Sequence, residues 1–281
     1  MTTAMPTLRP LVVTGATGKQ GGALISALLS KPTQPFEIYA VTRNKTSKSA
    51  QALASKPNVH LIEGSFTDPA AIFSQEGKAL VNAAIAAGVE HIVFTATDRG
   101  VNSDNDPTIV PHFASKYNIE QEISAKSKGK GTWTFLRPVA FYENMTNDFL
   151  GKAFISMWRL NGNDRKLQLV STKDIGKIAA EAFLNAESPE YKNTSISLAG
   201  DEISVVEAEK VFREVTGGQQ IPETYGFVAR ILKWVLHEHL GIMFNWFATD
   251  GFGTDVPGLR KRYPYLKDFR AWLETESAWK K

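Results

Sequence analysis

The chain holds 281 residues, 43% of them apolar, enough for one large α/β domain with a cap, and its formal net charge of +3 is spread over interspersed acids and bases rather than gathered into the basic patch of a nucleic-acid surface. It contains no cysteine, so disulfides, thiolate nucleophiles and cysteine-ligated metals are excluded, and a reducing compartment is the simpler reading. No apolar run opens the chain as a signal peptide would, and none reaches the ~20 residues of a membrane span, so the expected location is cytoplasmic, with the nucleus as the alternative.

In chain order, Leu11 to Thr14 is a short β-branched run that ends in glycines, and Gly22 to Ser30 follows with the apolar content of a helix. Phe36 to Thr42 and Val59 to Ile62 predict the next two strands, Pro69 to Ala87 a helix, and Ile92 to Thr95 another strand. Lys116 to Lys126 reads as a helix and Trp133 to Leu136 as a strand. Leu167 to Val170 and Ser195 to Leu198 are shorter strands around a helix from Asp174 to Leu184. Strands alternating with helices predict an α/β fold built on a Rossmann-type, doubly wound, mostly parallel sheet. The C-terminal third departs from this rhythm. It gathers Trp234, Trp246, Trp272 and Trp279 with Phe244, Phe247 and Phe252, and Leu232, Leu236, Leu240, Met243 and Phe247 recur at helical spacing. That stripe predicts a helical cap that buries one face on the sheet domain. A helix that meets a partner or a membrane is the competing reading.

Gly15-Ala16-Thr17-Gly18-Lys19-Gln20-Gly21 follows the first strand and opens the first helix. In that context the three glycines have separate duties. Gly15 allows the tight turn, Gly18 lets backbone approach a pyrophosphate, and Gly21 lets helix and strand pack closely. The helix start offers free N–H groups and a positive dipole end to phosphates, so Gly15, Thr17, Gly18, Lys19, Gln20 and Gly21 are the expected cofactor cradle. The second strand ends in Thr42-Arg43-Asn44-Lys45. An NAD site usually places Asp or Glu there to hold the ribose 2′-hydroxyl. Arg43 suits a 2′-phosphate instead, with Lys45 and Lys48 adding positive charge, which points to NADP(H). A solvated basic loop is the alternative reading of the same residues.

The GxxGxxG loop, Thr42-Arg43-Asn44, the stretches His112 to Lys116 and Leu136 to Asn144, and Leu167 to Gly176 together resemble the NmrA-like family in its fungal form, over nearly the whole chain. These are atypical short-chain dehydrogenase/reductases. The resemblance implies an NADP-binding Rossmann domain, formed here by residues 1–140 and 167–200, and a smaller substrate-side cap of residues 141–166 and 201–281. It also implies one of two activities. One is reduction of a small carbonyl or quinone by NADPH; the other is redox sensing by a regulator that binds dinucleotide and contacts a transcription factor or other partner protein. Where conventional members of the wider class carry Tyr-x-x-x-Lys, this chain has His112-x-x-x-Lys116, two positions on one helical face. The resemblance makes Lys116 the residue that holds the nicotinamide ribose and lines the active site. His112, an imidazole of ordinary pKa near 6.5, could donate the proton to a reduced carbonyl or simply start the helix. Thr95 and Thr97 lie where the catalytic serine would sit, and Tyr142 and Asn144 on the nicotinamide side.

Two departures stand out. Gly64-Ser65 replaces the family's Gly-Asp after the third strand, which removes an acid near the adenine. In addition, only 27 residues separate Glu63 from His91. A single parallel crossover takes about a dozen residues or more, so the family's fourth strand, with the helices on either side, does not fit. That strand normally flanks the first across the switch point where the dinucleotide lies, and its loss would strip one wall from the site. Either the next strand moves in beside the first, or the sequence is an incomplete gene model or variant of a longer protein; a chain that folds poorly or binds cofactor weakly is a third expectation. No metal site is expected: in His237-Glu238-His239 the histidines point to different sides of a helix, and Asp104 to Asp106 lacks calcium-ligand spacing. No Gly-x-Ser-x-Gly elbow is present to suggest an esterase.

Overall fold

A computed structural model describes residues 8–64, 75–235 and 240–279. The first strand, β1 (Arg9–Val13), turns Leu11 and Val13 into the interior and leaves Val12 58% exposed. Through the glycine loop it enters α1 (Lys19–Leu29), whose Leu24, Ile25 and Leu28 are buried. β2 (Phe36–Thr42) alternates strictly between buried and half-buried positions. α2 (Lys48–Ala54) is capped by the Ser47 hydroxyl, which accepts from the Ala50 N–H, and β3 (Val59–Glu63) follows it. β1, β2 and β3 form one parallel sheet, with Val13 opposite Ala40 and Thr42 opposite Glu63.

The chain continues through α3 (Gln75–Ala86), β4 (His91–Thr95), α4 (Pro111–Lys126), β5 (Thr132–Pro138) and the short β6 (Ala140–Phe141). α5 (Phe149–Leu160), β7 (Lys166–Val170), α6 (Thr172–Leu184), β8 (Thr194–Leu198) and β9 (Asp201–Ser204) come next, then helices α7 (Val205–Thr216), α8 (Gly226–Val235), α9 (Ile242–Thr249), α10 (Val256–Arg262) and α11 (Phe269–Thr275). β4, β5 and β8 make a second parallel sheet; β6, β7 and β9 make a third, in which β9 alone is antiparallel. Among the described residues no strand pairs with the outer edge of β1 or of β4.

The first two sheets share a core instead of a ladder. Leu11, Val13, Ile38 and Ala40 of one pack with Leu136, Ile196 and Leu198 of the other, against Ile175, Ile178 and Ala179 of α6. α1 and α6 run in close contact because small residues face each other: a side chain at Gly176 would come within 2.5 Å of the Ala23 Cβ. On the opposite face, Val81 of α3 and Ile119 and Ile123 of α4 cover Phe135. The third core is aromatic and holds Tyr142, Trp158, Phe212, Phe244, Trp246, Phe269 and Trp272.

This is the Rossmann-type α/β arrangement that strand–helix alternation predicts, with several local differences. α4 begins at Pro111 rather than near Lys116; proline tolerates the first helical position because its missing N–H would be unpaired there. The stripe from Leu232 to Phe247 is not one helix. α9 buries Phe244 and Phe247, whereas α8 packs on α5 and shows Phe227, Ile231, Trp234 and Val235 to solvent. The expected helix from Pro69 is described from Gln75 onward, and Ser65, Leu236 and the His237–His239 pair lie outside the described residues. α2, α5, β6, β9 and the C-terminal helices other than α9 were not evident from apolar periodicity. Among the described residues no helix is long and apolar enough to cross a membrane.

Candidate functional site

The glycine loop lies where β1 meets α1. Gly15 has φ of +60°, a left-handed conformation that side chains disfavour, and its carbonyl accepts the Gly18 N–H at 2.9 Å. A side chain at Gly18 would stand 3.1 Å from that same oxygen, and one at Gly21 would overlap it outright. Gly18 caps α1 without a side-chain bond, no acid occupies the first turn, and the N–H groups of Lys19, Gln20 and Gly21 meet no acceptor among the described residues. Gly15, Thr17, Gly18 and Lys19 are exposed, and Gln20 and Gly21 half-buried. The result is an open set of unclaimed donors at the positive end of a helix, which fits a diphosphate in charge and in hydrogen-bonding capacity.

Arg43 sits at the end of β2, exposed and without a hydrogen bond or ion pair among the described residues. Its turn is ordered by its neighbours: the Thr42 hydroxyl accepts the Asn44 N–H at 3.3 Å, and Asn44 Oδ1 accepts the Thr46 N–H at 2.8 Å. Arg43 thus follows the strand that pairs with β1, with all its guanidinium donors available, which fits a phosphate on the adenosine ribose.

At the end of β4, the second turn of α4 brings Lys116 to the residue that follows Thr95. Lys116 Nζ donates to the Ala96 carbonyl oxygen at 2.8 Å, one residue beyond Thr95. An ammonium has three donors, so two remain. Burial, helped by the nearby Arg99 and opposed by Glu120, brings the Lys116 pKa down to about 8. Lysine's ordinary value is 10.5, so the unfolded chain keeps this proton longer, and the Lys116 contribution to stability rises with pH between about 8 and 10.5. In protein whose lysines carry ¹³C-methyl groups, the Lys116 resonance is expected to titrate near pH 8. A Lys116 midpoint at lysine's ordinary 10.5 would show the ammonium to be solvated.

His112 is one turn earlier on α4, half-buried, with its ring edge-on to Phe113 at 4.6 Å. The Thr97 hydroxyl reaches the Pro138 carbonyl at 3.3 Å, the strand-end role of a threonine. Tyr142 does not reach the site. It is fully buried, stacks on Trp272 at 5.3 Å and donates to the Lys267 carbonyl at 3.2 Å, so its contact is with the aromatic core. Its turn nevertheless approaches the loop: the Glu143 carbonyl accepts from Lys19 Nζ at 3.0 Å, and Asn144, next in sequence, is exposed.

Three supporting groups escaped the sequence reading. Glu120, one turn beyond Lys116, is wholly buried between Arg99 (2.6 Å) and Arg137 (2.9 Å). Arg99 also binds the carbonyls of Thr97 (3.0 Å), Asp106 (3.1 Å) and Ser103, and so fixes the loop after β4. Buried Asp98 accepts the Gly253 N–H at 3.0 Å and the Ser197 hydroxyl at 2.6 Å, tying that loop to the C-terminal third. The Glu143 carboxylate accepts the Thr172 N–H at 3.1 Å and caps α6. The i, i+4 relation of Lys116 to Glu120 was the available signal for the first.

The family model of the NmrA-like family matches residues 9–74 and 73–256. The chain is similar to the NmrA-like family domain-containing oxidoreductase malD of Malbranchea aurantiaca, 26% identical over 254 residues that cover 74% of this chain and 73% of the relative. Among solved structures, the NADPH-dependent quinone oxidoreductase QOR2 of Escherichia coli, complexed with NADPH, aligns with a TM-score of 0.69 at 21% identity, covering 95% of this chain and 99% of that one. NmrA, a negative transcriptional regulator in complex with NADP, aligns with a TM-score of 0.67 at 16% identity, covering 97% and 96%. At these identities the structures establish a shared fold.

Proposed function

The chain belongs to the NmrA-like family, and from that premise we propose that it is an NADP(H)-dependent oxidoreductase that reduces a small carbonyl or quinone. The observation that carries the reading is the open row of unclaimed N–H donors at Lys19 to Gly21, together with an Arg43 that has no partner among the described residues at the end of the neighbouring strand. Gly15, Thr17, Gly18, Lys19, Gln20 and Gly21 would hold the diphosphate and Arg43 the 2′-phosphate. A bound nicotinamide supplies hydride chemistry. The protein's own share is orientation: Lys116 has two donors left for ribose hydroxyls, Thr95 stands one residue from the carbonyl that fixes Lys116, and His112 or a water supplies the proton. The oxidoreductase names of relatives such as malD, and the NADPH bound to QOR2, support this reading. The absence of cysteine fits a cytoplasmic setting.

Two measurements test it together. Wild-type protein is expected to consume NADPH with members of a carbonyl and quinone panel, and Lys116→Ala to lose that turnover. Arg43→Ala is expected to weaken NADPH binding about 10- to 100-fold, since a hydrogen-bonded charge pair contributes about 1.5–3 kcal/mol, while NADH binding stays within about twofold. Wild-type protein that binds NADH more tightly than NADPH would contradict the role given to Arg43.

A regulator that senses the dinucleotide and docks a protein partner is the second reading. One observation favours it: Phe227, Ile231, Trp234 and Val235 stand 55–79% exposed along α8. Tight NADPH binding without turnover on any panel member would move the conclusion there.

A further inference from the structure

Among the described residues, no strand pairs with the facing edges of the two parallel sheets, β1 and β4. In a doubly wound sheet of order 3-2-1-4-5-6, a strand separates the first strand from the one that here is β4. This chain has β3-β2-β1 on one side and β4-β5-β8 on the other, with no ladder between them among the described residues. One comparison points to this place, and a second shows only that aligned positions are missing somewhere in the chain. The family model matches in two pieces that meet at residues 73–74, between β3 and β4. The malD alignment runs over 254 residues but covers only 74% of these 281, so several dozen aligned positions have no counterpart here.

The backbone says what the position accepts. In a strand, the N–H and C=O of one residue point to the same side, and alternate residues point to opposite sides. The Arg9 N–H is bonded to the Pro35 carbonyl, so Arg9, Leu11 and Val13 are turned toward β2, and Pro10 and Val12 toward the slot. The Ala96 N–H is bonded to the Leu136 carbonyl and the Glu90 carbonyl to the Thr132 N–H, so His91, Val93 and Thr95 are turned toward the slot. None of these five has a backbone partner among the described residues. One wall is apolar: Leu11, Val13 and Val93 meet the core with Ile175 and Ile178 of α6. The other side is open at Val12. The Arg9–Glu90 ion pair, at 3.1 Å, closes the N-terminal end with two long side chains, which suits a gap of about two inter-strand spacings of ~4.8 Å.

We propose that this slot is a receptor for one extended peptide strand, alternately apolar and polar, supplied by a partner protein other than a second copy of this chain. Only an extended backbone can pair with both edges at once, and the walls ask for alternation, apolar toward α6 and polar toward solvent. The C-terminal ends of β1 and β4 lead to the glycine loop and to the Lys116–Ala96 bond, so a docked strand ends inside the cleft and completes its wall. That last consequence rests on the cofactor reading above; strand docking itself does not.

The probe is a synthetic eight-residue peptide with lysine at each end and valine alternating with threonine between. Hydrogen exchange of the full chain is followed amide by amide. At saturating peptide, exchange at Val12, Val93 and Thr95 is expected to slow at least tenfold while Leu11 and Phe94 change little, and the same peptide N-methylated throughout has no effect. With the unmethylated peptide present, NADPH is also expected to bind several-fold more tightly; protection without tighter NADPH binding would keep the docking site and remove only the cofactor link. Val12, Val93 and Thr95 already protected in the protein alone would show both edges to be paired and overturn the proposal. So would protection that grows with protein concentration and no peptide, which would place a second copy in the slot, and so would no protection by the peptide.

Discussion

Glu120→Leu is expected to lower the melting temperature by about 10 °C at neutral pH, the larger of the two stability effects foreseen here. The wild-type carboxylate is wholly buried and shared: Oε2 accepts from Arg99 at 2.6 Å, and Arg137 binds both oxygens at 2.9 Å. Without it, two guanidinium groups remain in the interior with only Asp104, bound to Arg137 at 2.6 Å and 75% exposed, to offset them. Breaking a buried pair by removing one partner costs about 3–5 kcal/mol, because the remaining charge is uncompensated. For a chain of this size each kcal/mol shifts the melting temperature by roughly 2–4 °C. Thermal unfolding followed by circular dichroism checks the size of the loss; a shift below about 2 °C would mean that water reaches the cluster. Glu120→Leu combined with Arg99→Met and Arg137→Met should recover much of the stability, since replacing a whole buried ion cluster by apolar groups is often neutral.

The same substitution reads out on the site. Glu120 supports the charged form of Lys116 from one turn away, whereas burial and Arg99 oppose it. With the carboxylate gone and both arginines kept, the Lys116 midpoint is expected to fall below 8. The link is physical: the cluster orders the loop after β4, and the Ala96 carbonyl at the start of that loop is the acceptor for Lys116.

How far this was legible in the sequence depended on the range of the interaction. The glycine loop and the strands at Leu11, Phe36, Ile92, Trp133 and Leu167 were readable because their signals are local: apolar runs, and glycines at fixed offsets. α5 was not, because Ala153 to Trp158 are buried on every side and no polar face marks a helical period. The start of α4 was displaced because its cap, Val110, offers no side-chain bond to recognise. Tyr142 was placed at the nicotinamide by its neighbours in a resembling motif, but the direction of one side chain in a short turn is decided by Trp272 and Phe269, more than 100 residues away. The Arg99–Glu120–Arg137 cluster likewise joins a loop, a helix and a strand, and only the Lys116–Glu120 spacing hinted at it.

Gly21→Ala is expected to weaken NADPH binding at least 100-fold, and Gly22→Ala to leave it within about twofold, although both add one methyl group to the same turn of α1. The difference lies in what each methyl meets. At Gly21 it overlaps the Gly15 carbonyl oxygen and comes within 2.8 Å of the Gly15 carbonyl carbon and 2.9 Å of the Ala16 Cα, all backbone atoms. Backbone cannot rotate away, so the helix start must move relative to the loop that sets its donors. At Gly22 the nearest atom is the Ala16 carbonyl oxygen at 3.5 Å, an ordinary contact. Alanine also holds a helix better than glycine, by about 0.5–1 kcal/mol, so Gly22→Ala should raise the melting temperature slightly while Gly21→Ala lowers it. In the function proposed above, the phosphates are held by three adjacent N–H groups at the start of α1, and a displacement of several tenths of an ångström changes how these can meet one ligand. A hundredfold loss is about 2.7 kcal/mol, the size of one charge-assisted hydrogen bond. Titration calorimetry of both variants decides the matter: equal, near-wild-type affinities would mean that the dinucleotide phosphates do not sit on the start of α1, whatever else the cleft binds.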